Sequence, residues 1–187
     1  MYCSSSAAVD ARHVAAAQAL GHGLGERGDT LVWGGASVGL MGEVARAARA
    51  AGGRTIGVIP ESLVAREIAD HDADELVVTR DMGERKAEMA RRADAFVALP
   101  GGFGTLEEVL EQLTLRLLRV HDKPVVLVDV DGFWQPLLAL FEHLYAERFA
   151  RPESRAAYAV VPTTAAALAL LAELPIERPA ELPGKWL

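Results

Sequence analysis

The chain has one cysteine, Cys3, in 187 residues, so no intramolecular disulfide can staple it. Aromatic residues are scarce at 6%, and no apolar run reaches the ~18 residues of a membrane span. Positive charge is also short. Nineteen Lys and Arg against 26 Asp and Glu give a formal net charge of -7, which argues against the basic surface that nonspecific nucleic-acid binding needs. The start lacks the basic, apolar and cleavage regions of a secretory leader. These absences predict a cytoplasmic location, with neither membrane nor nucleic acid among the partners. Familiar cofactor motifs are missing too. There is no Gly-x-Gly-x-x-Gly fingerprint, no Gly-Lys-Ser/Thr phosphate loop and no His/Cys set at metal spacing. Ordinary NAD, ATP and metal sites are therefore disfavoured.

What is present is an alternation of short apolar runs and amphipathic stretches separated by glycine. The end of a first strand at Met1–Cys3 leads to a helix over 9–27, a strand over 30–33, a helix over 43–51 and a strand over 54–59. A connection over 61–71 follows, whose Arg66, Glu67 and Asp70 read as solvated surface. Then come a strand over 75–78, a helix over 81–93, a strand over 95–99, a helix over 105–119 and a strand over 124–128. A helix over 133–149, a strand over 159–161 and a helix over 163–174 complete the series. This rhythm predicts one α/β domain over 1–187, a Rossmann-like, doubly wound parallel sheet flanked by helices, with a tail at about 175–187. Ligands of such sheets bind at the carboxyl ends of the strands.

Two strand-to-helix turns at such ends are rich in glycine. The first runs through Gly34 and Gly35 to Gly39 and Gly42. The second, Pro100-Gly-Gly-Phe-Gly-Thr105, follows the buried run Ala95–Leu99 and opens an acidic helix. Glycine lets a ligand approach the backbone, and the helix start offers unpaired N–H groups and a positive dipole end, so phosphate is the natural guest. Thr105-x-x-Glu108 also spells a capping box, which accounts for Thr105 and Glu108 but not for three glycines within four positions. The Ser4–Ser6 turn either lines a nucleotide pocket or simply enters a helix. Ser5, Gly34, Gly35 and Met82 are the candidate lining.

On the helix over 81–93, Met82, Met89 and Ala93 share a face, with Lys86 inside it and Arg85 at its edge. Either the two cations meet a carboxylate or phosphate on the inner side, or Lys86 snorkels and Arg85 pairs with Asp81 or Glu88 along the helix. The helix over 105–119 places Leu106, Val109, Leu110, Leu113 and Leu117 on a core face and Leu115 and Leu118 opposite. A helix apolar on two sides predicts a homodimer interface.

Pro100-Gly-Gly-Phe-Gly-Thr-Leu-Glu-Glu108, preceded by Asp81-Met-Gly-Glu-Arg-Lys86, Gly34-Gly35 and Val38-Gly-Leu-Met-Gly42, resembles the Lonely Guy (LOG) family over about residues 2–161. Its members are cytokinin riboside 5'-monophosphate phosphoribohydrolases, often labelled lysine decarboxylases. No lysine here sits in a recognisable pyridoxal-phosphate setting. The resemblance implies hydrolysis of the N-glycosidic bond of AMP or its N6-prenylated relatives, giving free base and ribose 5-phosphate with no metal or cofactor. It implies Arg85 and Glu108 as the catalytic pair. Glu67, Arg85, Lys86, the turn Gly101, Gly102, Phe103, Gly104, Thr105, Leu106, Glu107, Glu108, and Thr114 become nucleotide contacts. The role of Glu67 rests on the resemblance alone. Ser4 stands where the family usually has glycine, and Leu115 and Leu117 replace a usual tryptophan and glutamine. A non-catalytic nucleotide or cofactor carrier on the same fold is the alternative.

Overall fold

A computed structural model describes residues 1–64 and 68–173. Strands β1 (Leu31–Trp33), β2 (Thr55–Pro60) and β3 (Glu75–Thr79) form one parallel sheet, and β4 (Phe96–Ala98), β5 (Val125–Val128) and β6 (Ala159–Val161) form another. The chain start joins them. The Met1 amino group donates to the Val32 carbonyl at 3.0 Å, Tyr2 N–H donates to Val97 at 2.9 Å, and Leu99 N–H donates to Tyr2 at 3.0 Å. The expected first strand is thus a single parallel bridge, Tyr2 to Ala98, and the spatial order reads β3-β2-β1-Tyr2-β4-β5-β6. The order reverses at Tyr2, the switch point where such sheets bind ligands.

Among the described residues seven α-helices flank the sheet: α1 (Ala11–Glu26), α2 (Gly39–Ala50), the short α3 (Glu61–Val64), α4 (Met82–Arg92), α5 (Phe103–Leu117), α6 (Gln135–Ala146) and α7 (Thr164–Glu173). Side chains alternate along each strand, so the apolar runs feed two cores. Leu31, Trp33, Val97, Val126 and Val128 pack with α1, α2 and α7, whereas Val32, Phe96, Ala98, Val125 and Leu127 pack with α4, α5 and α6. This is the doubly wound α/β architecture the sequence predicts.

Several boundaries differ from the sequence expectation, each for a local reason. Helix α2 begins at Gly39 rather than at 43, capped by the extended Val38, so Gly39 and Gly42 lie inside it. Helix α5 begins at Phe103 with Gly102 as its N-cap, so Thr105 lies within the first turn and no capping box forms. The long helix over 133–149 contracts to α6 because Asp129 accepts the Trp134 N–H at 2.6 Å before it, while Arg148 turns left-handed (φ 64°) after it. A 3-10 helix spans Pro152–Ala157, where the sequence predicts no element.

The largest correction concerns which side of α5 faces inward. Leu110 and Leu117, expected in the core, are exposed, and the buried line is Thr105, Glu108, Val109, Gln112 and Leu113. The helix is turned so that Glu108 meets Arg85 of α4. Asp70, expected on the surface, is likewise buried. The tail at about 175–187, Arg66 and Glu67 lie outside the described residues.

Candidate active site at the switch point

Asp81 caps α4, its carboxylate accepting the Glu84 N–H at 2.8 Å, and one turn later Arg85 points inward with 6% exposure. Its Nε donates to the Val58 carbonyl of β2 at 3.0 Å, and its Nη1 donates to Glu108 Oε1 of α5 at 3.0 Å. Glu108 is itself 7% exposed. Of the two arrangements the sequence leaves open for Arg85, the cross-helix one forms. Asp81 is occupied as a cap, and Glu88 takes Arg91 and Arg92 instead. A buried ion pair of this kind costs desolvation that its mutual attraction only partly repays, so it is weak evidence for stability and better evidence for a task.

Gly34 makes room for the guanidinium. A Cβ added there would lie 1.9 Å from Arg85 Nη2 and 3.1 Å from Met41 Sδ. Met82, at the rim, brings its sulfur to 4.0 Å from Nη1. Burial pushes the Glu108 carboxyl above the usual glutamate range, with the Arg85 charge opposing the rise. Such a carboxyl is better matched to proton transfer near neutrality than an exposed glutamate is.

Beside this pair the glycine turn stays open. No side chain among the described residues caps Gly102, and a Cβ added at Gly102 or Gly104 would meet none of their atoms within 4 Å. Gly101 differs, because Thr105 packs against it and a Cβ there would sit 2.1 Å from Thr105 Oγ1. Phe103 projects from the turn at 91% exposure. The first-turn amides of α5 are therefore left to an incoming anion.

Lys86 faces the same side but is engaged by carboxylates, Glu107 and, at 3.0 Å, Glu111. Glu107 holds the Lys86 ammonium above its usual range. Ser5 lies at the seam between the two glycine turns. Its neighbour Ser4 donates to Pro100 at 3.2 Å and accepts from Leu40 at 3.0 Å, while the Ser5 backbone abuts Gly39. Gly35, left-handed at φ 72°, rests on Val58 and Ile59.

Two expected contacts do not join this group. The Leu106 side chain packs into the core, so only its backbone could serve a ligand. Thr114 donates to the Leu110 carbonyl at 2.7 Å on the exposed face of α5, ~16 Å along the axis from Phe103. The sequence reading missed Val58, because the acceptor is a main-chain carbonyl that no side chain announces. It also takes a Gly-x-Ser-x-Gly elbow to be absent, whereas Gly35-Ala36-Ser37-Val38-Gly39 has that spelling. Ser37 Oγ donates to the Ile68 carbonyl at 3.3 Å, and no histidine among the described residues bonds to it.

Residues 41–171 match the family profile described as "Possible lysine decarboxylase". A Mycobacterium tuberculosis protein named cytokinin riboside 5'-monophosphate phosphoribohydrolase is 48% identical over 161 residues, 86% of either chain. The rice protein of the same name, LOG, is 47% identical over 163 residues, 87% of this chain and 67% of its own. Among solved structures, the molybdenum cofactor carrier protein of Chlamydomonas reinhardtii superposes with a TM-score of 0.69 at 28% identity, covering 90% of this chain and 91% of its own. The molybdenum cofactor binding protein of Rippkaea orientalis shares the fold, with a TM-score of 0.69 at 24% identity over 88% of this chain and 89% of its own. A glycine turn opening α5, an Arg85–Glu108 pair beneath it and these matches over most of the sequence agree: the chain belongs to the Lonely Guy family.

Proposed function

We propose that this chain hydrolyses the N-glycosidic bond of cytokinin riboside 5'-monophosphates or AMP, releasing free base and ribose 5-phosphate. The observation that carries the reading is the buried Arg85–Glu108 pair beside the uncapped N-terminus of α5. In this reading the 5'-phosphate sits on the amides of the Gly101–Thr105 turn, where the helix dipole favours an anion. Its position sets the ribose against Glu108. As the C–N bond breaks, positive charge grows on the ring, and the Glu108 carboxylate stabilises it or takes a proton from the attacking water. Water's oxygen ends on the anomeric carbon, and the departing base gains a proton. Arg85 orients the carboxylate by its charged hydrogen bond. Lys86 reaches substrate only by leaving Glu107 or Glu111. Cytoplasmic residence belongs to the same proposal; among the described residues no helix is long and apolar enough to cross a membrane.

Incubation with AMP and with isopentenyladenosine monophosphate, each beside its unphosphorylated nucleoside, tests this directly. Chromatography should show free base from the monophosphates and little from the nucleosides. Tight nucleotide binding without base release would instead support a carrier, the role named for the Chlamydomonas neighbour.

The same reading includes a homodimer through α5. Leu117 and Leu118 are 51% and 68% exposed, and Leu110 and Val120 extend the apolar face. A shallow groove of about 130 Å³ beside it is lined by Leu110, Thr114, Leu117, Phe141 and Tyr145. Thr114 lies on that face, too far along α5 to serve its own turn. It would complete the site of the opposite copy. Leu117→Glu is expected to give monomers in sedimentation and to raise KM for AMP; an unchanged sedimentation coefficient would remove this face from the interface.

A further inference from the structure

We propose that Arg49 and Asp70 are a positioning pair for the Arg85–Glu108 couple, acting through the loop that carries Gly34. Arg49, in the last turn of α2, donates through Nη2 to both carboxylate oxygens of Asp70, at 3.3 and 3.1 Å. The Asp70 side chain is 4% exposed. Arg49 Nη1 is buried with no partner among the described residues, so the pair is not an optimised source of stability. What it fixes is place. Asp70 N–H donates to the Gly35 carbonyl at 2.8 Å, Ser37 N–H donates to Ile68 at 2.9 Å, and Ala36 bridges Ala69 in antiparallel fashion. Residues 68–70 are thereby clipped along residues 35–37.

That loop is one wall of the Arg85 slot. Gly35 packs on Val58, the residue whose carbonyl receives Arg85 Nε, and Gly34 lies against Nη2. The guanidinium is held between β2 and the loop, and its remaining Nη1 is aimed at Glu108. Releasing Asp70 frees the loop, and with it the wall that keeps Arg85 in line. A shift of about 1 Å at a reacting group can cost a factor of about a hundred in rate.

The inference rests on the proposed hydrolase reading for its kinetic consequence but not for its structural one. Asp70→Ala is expected to lower kcat for base release from AMP by roughly tenfold or more, with KM changed by less than about threefold. In parallel, NMR should show faster solvent exchange of the Arg85 Nε proton, which is sealed against Val58 in the parent protein. Should Asp70→Ala fail to fold, Asp70→Asn keeps the volume and one acceptor oxygen and is expected to show both effects in weaker form. Unchanged Arg85 exchange in the folded variant would overturn the proposal. So would a fall in melting temperature with kcat intact. Faster exchange in a protein whose parent form releases no base would uphold the positioning pair and reject the hydrolase.

Discussion

Glu108→Gln is expected to stop base release while leaving nucleotide binding and the fold in place. Glutamine keeps an oxygen for the Arg85 Nη1 bond seen at 3.0 Å, so the guanidinium loses its counter-charge but not its hydrogen bond. The ring cation that develops as the glycosidic bond breaks then has no carboxylate to face it. A loss of about a thousandfold in kcat, ~4 kcal/mol of transition-state stabilisation, is the scale for removing such an electrostatic group. Isothermal titration with AMP should still show binding, because the phosphate turn does not depend on this side chain. Turnover at the parent rate would take Glu108 out of the chemistry.

The same substitution has a pH signature. Burial raises the Glu108 pKa, so the native chain keeps this proton at a pH where the unfolded chain has lost it. Stability tied to the protonated form is present at low pH and declines as pH rises from the ordinary glutamate range through the raised value. Glu108→Gln lacks that decline. Urea unfolding across this range should therefore show the variant gaining on the parent as pH rises, and a constant difference would contradict a raised pKa.

Gly34→Ala is expected to be nearly as damaging, although position 34 touches no reacting atom. Its methyl group would lie 1.9 Å from Arg85 Nη2, closer than atoms can approach, and 3.1 Å from Met41 Sδ, a tight contact. The guanidinium must move, and Nε cannot leave the Val58 carbonyl without leaving a buried donor unpaired. A fall in kcat/KM of about a hundredfold follows from displacement on this scale. Gly102→Ala is the stability control, because no atom of the described residues lies within 4 Å of the added methyl. It should melt like the parent and lose affinity for AMP if phosphate occupies that space. Parent-like kinetics in Gly34→Ala would show that Arg85 has a second productive position.

The sequence made much of this visible. The turn from Pro100 to Thr105 and the acidic start of α5 are local in the chain, so periodicity and glycine placement expose them before any folding is considered. Arg85 drew notice as a cation at the edge of an apolar face. Periodicity leaves its partner open between Asp81 or Glu88 along the helix and an unnamed carboxylate or phosphate on the inner side, and only the family resemblance points to Glu108. Asp70 was misread for the opposite reason: a charged residue in a polar stretch has no local sign of burial. The inward turn of α5 is hidden because Leu110 and Leu117 are as apolar as Val109 and Leu113, and only the packing that buries Thr105, Glu108, Val109, Gln112 and Leu113 distinguishes the two faces.

The sequence by itself determined the alternation of strands and helices and the placing of glycine at two strand ends, because each depends on neighbours within a few residues. Tertiary structure alone decided that Val58, Gly34 and Glu108 converge on one guanidinium, and that Asp70 reaches back to Arg49. These contacts join residues brought together by the parallel sheet, whose crossovers place distant segments side by side at its switch point. Burial then supplies what no residue type carries alone, an arginine and a carboxylate held in a low-dielectric site with their partners fixed.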